Sequence, residues 1–189
     1  MKKSVVFLTF LALTGFSKAQ DYYHGVGAQL DFGIFKTETG LVTSSGGVLL
    51  PGVFYKGSLA FEINRDMNFA LSFYPLIGMM GTFNSQSGGS SNLAFGVELP
   101  IVGEVYFGDV DDMCFFVGAG VSAALLANAD AGGAIVGPHI DLGGQFEFRD
   151  NLIGLKAAFT YGLNNAGYVA PTKYTNNLFS VGAYYVLGR

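Results

Sequence analysis

His139 and Asp141 stand two residues apart in a segment of alternating polarity, which puts both side chains on one face of a strand. A histidine and a carboxylate so placed are the pair a hydrolase or acyltransferase uses as base and orienting group. Such an enzyme also needs a nucleophile within reach of the base. Ser122 and Thr160, on neighbouring segments, are the hydroxyls whose parity would bring them to the same face at a similar height. His139 and Asp141 are explained more simply as members of a buried polar network, so no catalytic residue and no enzymatic activity are expected. The remaining reactive residues are few. Cys114 is the one cysteine, and His24 and His139 are the only histidines, so no disulfide and no cluster at metal-ligand spacing is expected. With no phosphate-cradling glycine loop and no G-x-S-x-G elbow either, the expected cofactor is none.

The elements that position these residues announce themselves through composition. Half of the 189 residues are hydrophobic and only 13% are charged, about half the charge of an ordinary soluble domain. Glycine supplies 28 residues without a triplet period, which excludes a collagen-like chain. Lys2 and Lys3 precede an apolar run and then Ser17, Lys18 and Ala19, the pattern of a secretory signal covering residues 1–19. The apolar run is too short for a spanning helix. Residues 20–189 then carry seven basic against fourteen acidic residues, a net charge of −7, so no nucleic-acid partner is expected.

The mature chain alternates with period two in eight segments. Val26, Ala28, Leu30, Phe32 and Ile34 oppose Gly25, Gly27, Gln29, Asp31 and Gly33 in the first, and Phe179, Val181, Ala183, Tyr185 and Leu187 oppose Ser180, Gly182 and Tyr184 in the last. Helices would show a period of 3.6. Short connections at residues 64–66, 109–112 and 150–151 carry Asp and Asn. Longer ones at 36–46, 84–92, 127–133 and 164–176 are rich in Gly, Ser, Thr and Asn. No continuous apolar stretch could cross a membrane as a helix, so a membrane-crossing chain must be a closed barrel. The polar faces are mostly Gly, Ala and Ser, which suits a narrow lumen better than a solvated surface. Aromatic residues gather at the strand ends on the apolar face, as at a lipid interface. The expected fold is all-β: an eight-stranded antiparallel up-and-down transmembrane β-barrel with short periplasmic turns and longer extracellular loops.

The leader, the eight alternating segments and the ending, with Ser180, Gly182, Tyr185 and Leu187 as polar, glycine, aromatic and hydrophobic positions, resemble the small outer-membrane β-barrel family of OmpA-type, OmpX-type and PorT-type proteins. The resemblance implies residence in the outer membrane of a Gram-negative cell, with outer-membrane lipid and the barrel assembly machinery as partners. It carries over no catalytic residue.

By parity Asp31, Glu62, Glu98, Glu104, Asp141 and Glu147 point inward, together with Lys56, Lys156 and His139. The expected lumen polar network is Asp31, Lys56, Glu98, Glu104, His139, Asp141, Glu147 and Lys156, with Glu62 and Glu147 solvated near the periplasmic rim. A two-residue turn at Asp150 and Asn151 would set Lys156 opposite Gln145 and diagonal to Glu147. Near the long-loop rim the inward parity turns apolar, through Phe35, Leu50, Phe54, Leu76, Met80, Ile135 and Leu178, as a closing plug or as a pocket for an apolar ligand. The function expected is a structural, adhesive or partner-recognising one carried by the loops, toward an extracellular or envelope protein. A ligand-binding barrel and a lipid-modifying enzyme are the alternatives.

Overall fold

The computed structural model describes residues 21–39, 42–64, 66–84, 94–110, 112–127, 132–163 and 172–188. The expected signal at 1–19 and much of the three later loops lie outside these residues, as do the side chains of Phe35 and Met80. Every described element is a strand: β1 (Asp21–Thr39), β2 (Val42–Asn64), β3 (Met67–Phe73), β4 (Leu76–Asn84), β5 (Ala94–Gly108), β6 (Met113–Ala127), β7 (Gly132–Phe148), β8 (Asn151–Tyr161) and β9 (Thr172–Gly188).

β3 and β4 are two halves of one crossing. Pro75 has no N–H to give to a ladder, and the strand pattern lapses at Tyr74 and Pro75. The register does not change: Phe73 pairs with Gly57 before the gap and Leu76 with Phe54 after it. The carbonyls of Pro75 and Pro100 accept from Tyr55 and Tyr74 there, at 3.0 and 3.1 Å. Eight antiparallel crossings therefore form the sheet, and pairing of β1 with both β2 and β9 closes it into a ring. Closure gives every crossing a partner on each side, which removes the open edge an unclosed sheet would expose.

The stagger of the ring follows from its pairs. From Asp31 the line of paired residues passes through Ser180, Ala158, Asp141, Gly118, Glu104, Ala70 and Ala60 and returns to β1 at Asp21, ten residues lower. An even stagger keeps the inward parity continuous around the barrel, so the line from Asp31 through Ala60 faces the lumen. Eight strands leave an interior just wide enough for side chains to fill. Outside, Val53, Ile77, Val97, Val121, Ile140, Leu142 and Leu155 stand exposed as an apolar belt. Phe107, Phe115, Phe148 and Tyr185 flank it toward the short turns, and Phe95, Tyr161 and Phe179 toward the other rim.

Three connections differ from the sequence reading, the first being the loop expected at 164–176, whose last five residues, Thr172 to Asn176, are strand paired with β1 because the backbone ladder of the long tip continues there. Residues 36–46, expected as a loop, are mostly paired strand: Phe35 faces Gly46 and the ladder continues to Thr39 with Val42. Polar Ser, Thr and Gly residues read as loop, yet the backbone is paired on β1 as far as the tip. The β7–β8 turn is formed by Arg149 and Asp150, at φ 52° and 62°, with Phe148 opposite Asn151. Positive φ at both central residues matches the twist of the flanking strands. This moves the register, so Lys156 faces Gly143 instead of Gln145, and Glu147 faces Leu152.

Candidate functional site: the filled lumen

Glu104 is the centre of the lower lumen, toward the short turns. Its carboxylate lies 3.5 Å from the Lys56 ammonium, and both side chains are sealed from solvent. The Tyr106 hydroxyl donates to Glu104 at 2.7 Å and accepts from Lys56 at 2.7 Å, while Ser72 and Tyr74 hydroxyls also donate to Glu104. Lys56 reaches the Tyr184 hydroxyl at 3.3 Å, and Gln145 donates to that same oxygen at 2.8 Å. Rings of Tyr74, Tyr106, Phe116 and Tyr184 surround the ammonium with centroids 4.6 to 5.3 Å away. A buried ion pair survives only with this kind of support, because desolvation of each charge costs several kcal/mol.

Glycines make room for the crowd. The Tyr184 ring lies directly on Gly154, where any side chain would meet it, and the Asp141 carboxylate lies on Gly118 beside Val102 and Glu104. Tyr74, Tyr106 and Tyr184 alternate in sequence onto the inward face of their strands, yet none is among the residues expected in the polar network. Three phenols at inward parity were the available clue, since a buried Tyr hydroxyl needs a partner.

The upper lumen holds Gln29, Asp31, Glu98, Ser122, His139, Asp141, Lys156, Thr160 and Ser180, all buried. Gln29 donates to Asp31 at 2.7 Å, Ser122 donates to Glu98 at 2.6 Å, and His139 Nδ1 pairs with the Thr160 hydroxyl at 2.7 Å. Lys156 Nζ lies over the rings of Tyr74 and Phe54, at 4.0 and 4.7 Å. Beside this layer the apolar residues Leu50, Phe54 and Leu76 pack with Tyr74, Val102 and Tyr184, and Ala124, Ile135 and Leu178 form a second cluster. Glu147 is exposed at the short-turn rim and takes no place in the buried network. Of the ending, Ser180 faces inward and is buried, whereas Tyr185 and Leu187 are exposed on the outer wall.

The hydroxyl that His139 meets is thus Thr160, with Asp141 on the same face. Both are at most 2% exposed, so a substrate carbonyl could reach Thr160 only by displacing the packed residues around it. Among the described residues no three His, Cys, Asp or Glu side chains converge closely enough to hold a metal ion.

A closed ring of eight strands, apolar outside and filled inside by side chains, is the fold of the small outer-membrane β-barrels. The chain is similar in fold to the outer membrane protein OprG from Pseudomonas aeruginosa, with a TM-score of 0.58 and 12% identity over 91% of this chain and 98% of that one. It is also similar to the outer membrane protein AlkL, solved in lipid bilayers, with a TM-score of 0.51 and 12% identity over 89% of this chain and 90% of that one. No protein-family model and no curated protein sequence matches the chain.

Proposed function

We propose that the mature chain is a non-enzymatic integral outer-membrane barrel, and that it serves an envelope-structural, adhesive or partner-recognising role through the strand tips and loops of its long-loop rim. The observation that supports this most is the combination of an apolar outer belt with a lumen closed by buried side chains, Leu50, Phe54, Tyr74 and Leu76 among them. Such an interior argues for a plug and against a general pore. Lipid would cover the belt, while the leader and the ending that carries Tyr185 and Leu187 would take the chain to the assembly machinery.

The rim supports the choice of working surface. In β1 Ile34 is exposed on the outer wall, and after Phe35 the strand continues through Lys36, Thr37, Glu38 and Thr39. At about 3.3 Å per residue, this polar extension spans roughly 15 Å, and β9 accompanies it from Thr172 onward. Polar tips of this length stand clear of hydrocarbon and are placed to meet a partner.

The test replaces residues 36–45 by Asn-Gly, which joins Phe35 to Gly46 through a two-residue turn. The variant should still assemble, fractionate with outer membrane and lose the binding of expressing cells to a host-cell layer or to a captured envelope protein. Unchanged binding would overturn the role given to the tip, and recovery of the wild type as a soluble periplasmic protein would overturn the membrane reading.

A further inference from the structure

The two polar layers of the lumen are satisfied very differently. Around Glu104 the hydroxyls and Lys56 supply donors to the carboxylate. In the upper layer Gln29 Oε1, Asp31 Oδ2, Glu98 Oε2, His139 Nε2, both oxygens of Asp141, Ser180 Oγ and Lys156 Nζ find no hydrogen-bond partner of good geometry among the described residues. Their residues are all more than nine-tenths buried. Five of those atoms are amide or carboxyl oxygens, and with the carboxyl groups ionised they only accept. Against them stands a single ammonium, and it is drawn over the rings of Tyr74 and Phe54. The charges are unequal as well, because four buried carboxyl groups, Asp31, Glu98, Glu104 and Asp141, share two ammonium groups, Lys56 and Lys156.

We propose that this upper layer binds one small monovalent cation, an alkali or ammonium ion carrying part of its hydration shell. An occupant suited to these atoms must be positive and must offer donors or a bare charge to an acceptor-rich wall. Unpaired buried carboxylates are too costly to leave uncompensated. Direct coordination by several acidic groups is closed off, since among the described residues no three such side chains converge. A divalent ion, which wants several carboxylate oxygens in its own shell, fits poorly. A monovalent ion holding water can be shared among separated oxygens of Glu98, Asp31, Asp141, Gln29 and Ser180.

The test follows thermal unfolding of the full mature barrel in detergent, read by the heat-dependent gel mobility of the folded band. Sodium, potassium or ammonium chloride is titrated against choline chloride at constant ionic strength, because choline is too large for the layer. The melting temperature should climb with the logarithm of the small cation's concentration, as binding to the folded state requires. The Asp31→Asn, Glu98→Gln double variant should fold and lose that climb. Thallous acetate, soaked into crystals in place of sodium, should give an anomalous peak among Asp31, Glu98 and Asp141. Equal stability in sodium, potassium, ammonium and choline would overturn the proposal, whether the layer then proved to be balanced by protons or filled by water alone. So would a double variant that keeps the climb, or the lack of a thallium peak. If the double variant does not fold, the wild-type titration and the thallium map decide.

Discussion

The Lys56 ammonium and the Glu104 carboxylate lie 3.5 Å apart on strands β2 and β5, which are separated in the ring by the β3–β4 crossing, so the pair bridges inside the lumen over one intervening crossing. Tyr106 bonds to both. The bonds from Lys56 link β2 to β5 past the crossing between them, a connection the backbone ladder does not make.

Removing one partner of such a pair leaves an uncompensated charge. Lys56→Met should cost roughly 3 to 5 kcal/mol, read as a lower urea midpoint for the folded barrel in lipid vesicles. Lys56→Met combined with Glu104→Gln should recover much of that loss, because the unpaired charge is gone. A double variant as unstable as the single one would mean that packing of the lysine stem, and not its charge, carries the effect.

Gly154 tests the packing of the same layer from the wall. A methyl group there would run into the Tyr184 ring, and moving that ring withdraws its hydroxyl from Lys56 and Gln145. Gly154→Ala should therefore destabilise by about 1 to 3 kcal/mol, the usual range for overpacking. Gly154→Ala with Tyr184→Phe should be no better, since the ring remains; Gly154→Ala with Tyr184→Leu should recover part of the loss. Thermal melts of the three variants check this ordering.

Arg149 and Asp150 hold positive φ without being glycine, a conformation that costs an ordinary side chain energy. Asn151 Nδ2 offsets part of the cost by donating to the Arg149 carbonyl at 2.7 Å. Arg149→Asn with Asp150→Gly, the preferred pair for this turn, should raise stability by about 1 kcal/mol. A neutral or negative result in the same melts would show that the flanking bonds, including Tyr185 to Asn151 at 2.7 Å, already relieve the turn.

This turn also marks where the sequence stopped being legible. Alternation named the crossings and the inward side of each, because a period of two admits one assignment of faces once the apolar face is known. It gave the buried positions of Asp31, Lys56, Glu98, Glu104, His139, Asp141 and Lys156 for the same reason. Register depends instead on which two residues make the turn, and Arg149 with Asp150 carries no glycine to reveal it, so the partner of Lys156 was misplaced. The Lys56, Tyr106 and Glu104 arrangement was out of reach because Lys56 meets the other two from a strand that is not their ladder partner, and strand parity says nothing about contacts between unpaired strands. The β1–β2 tip failed differently: Ser44, Ser45 and Gly46 have loop-like composition, while backbone pairing on β1 is what holds them extended.

Phe54 decides what the apolar end of the lumen is for. Its ring packs against Tyr74 and Tyr184, with centroids 6.1 Å away in each case, and one edge lies on Gly27 at 2.7 Å from where a Cβ would be. Lys156 sits over its face. A ring held on four sides is a structural plug, and cutting it back to a methyl group leaves a cavity that neighbours on a closed sheet can fill only in part. Phe54→Ala should then cost roughly 3 to 5 kcal/mol, and it should do so equally in protein taken from native membranes and in protein refolded in pure detergent. A pocket for an apolar ligand predicts the opposite pattern. The refolded, ligand-free barrel would lose little, and the native preparation would lose a bound apolar molecule visible by mass spectrometry in the wild type. Measuring both preparations side by side separates the two, and the packing around Phe54 favours the first.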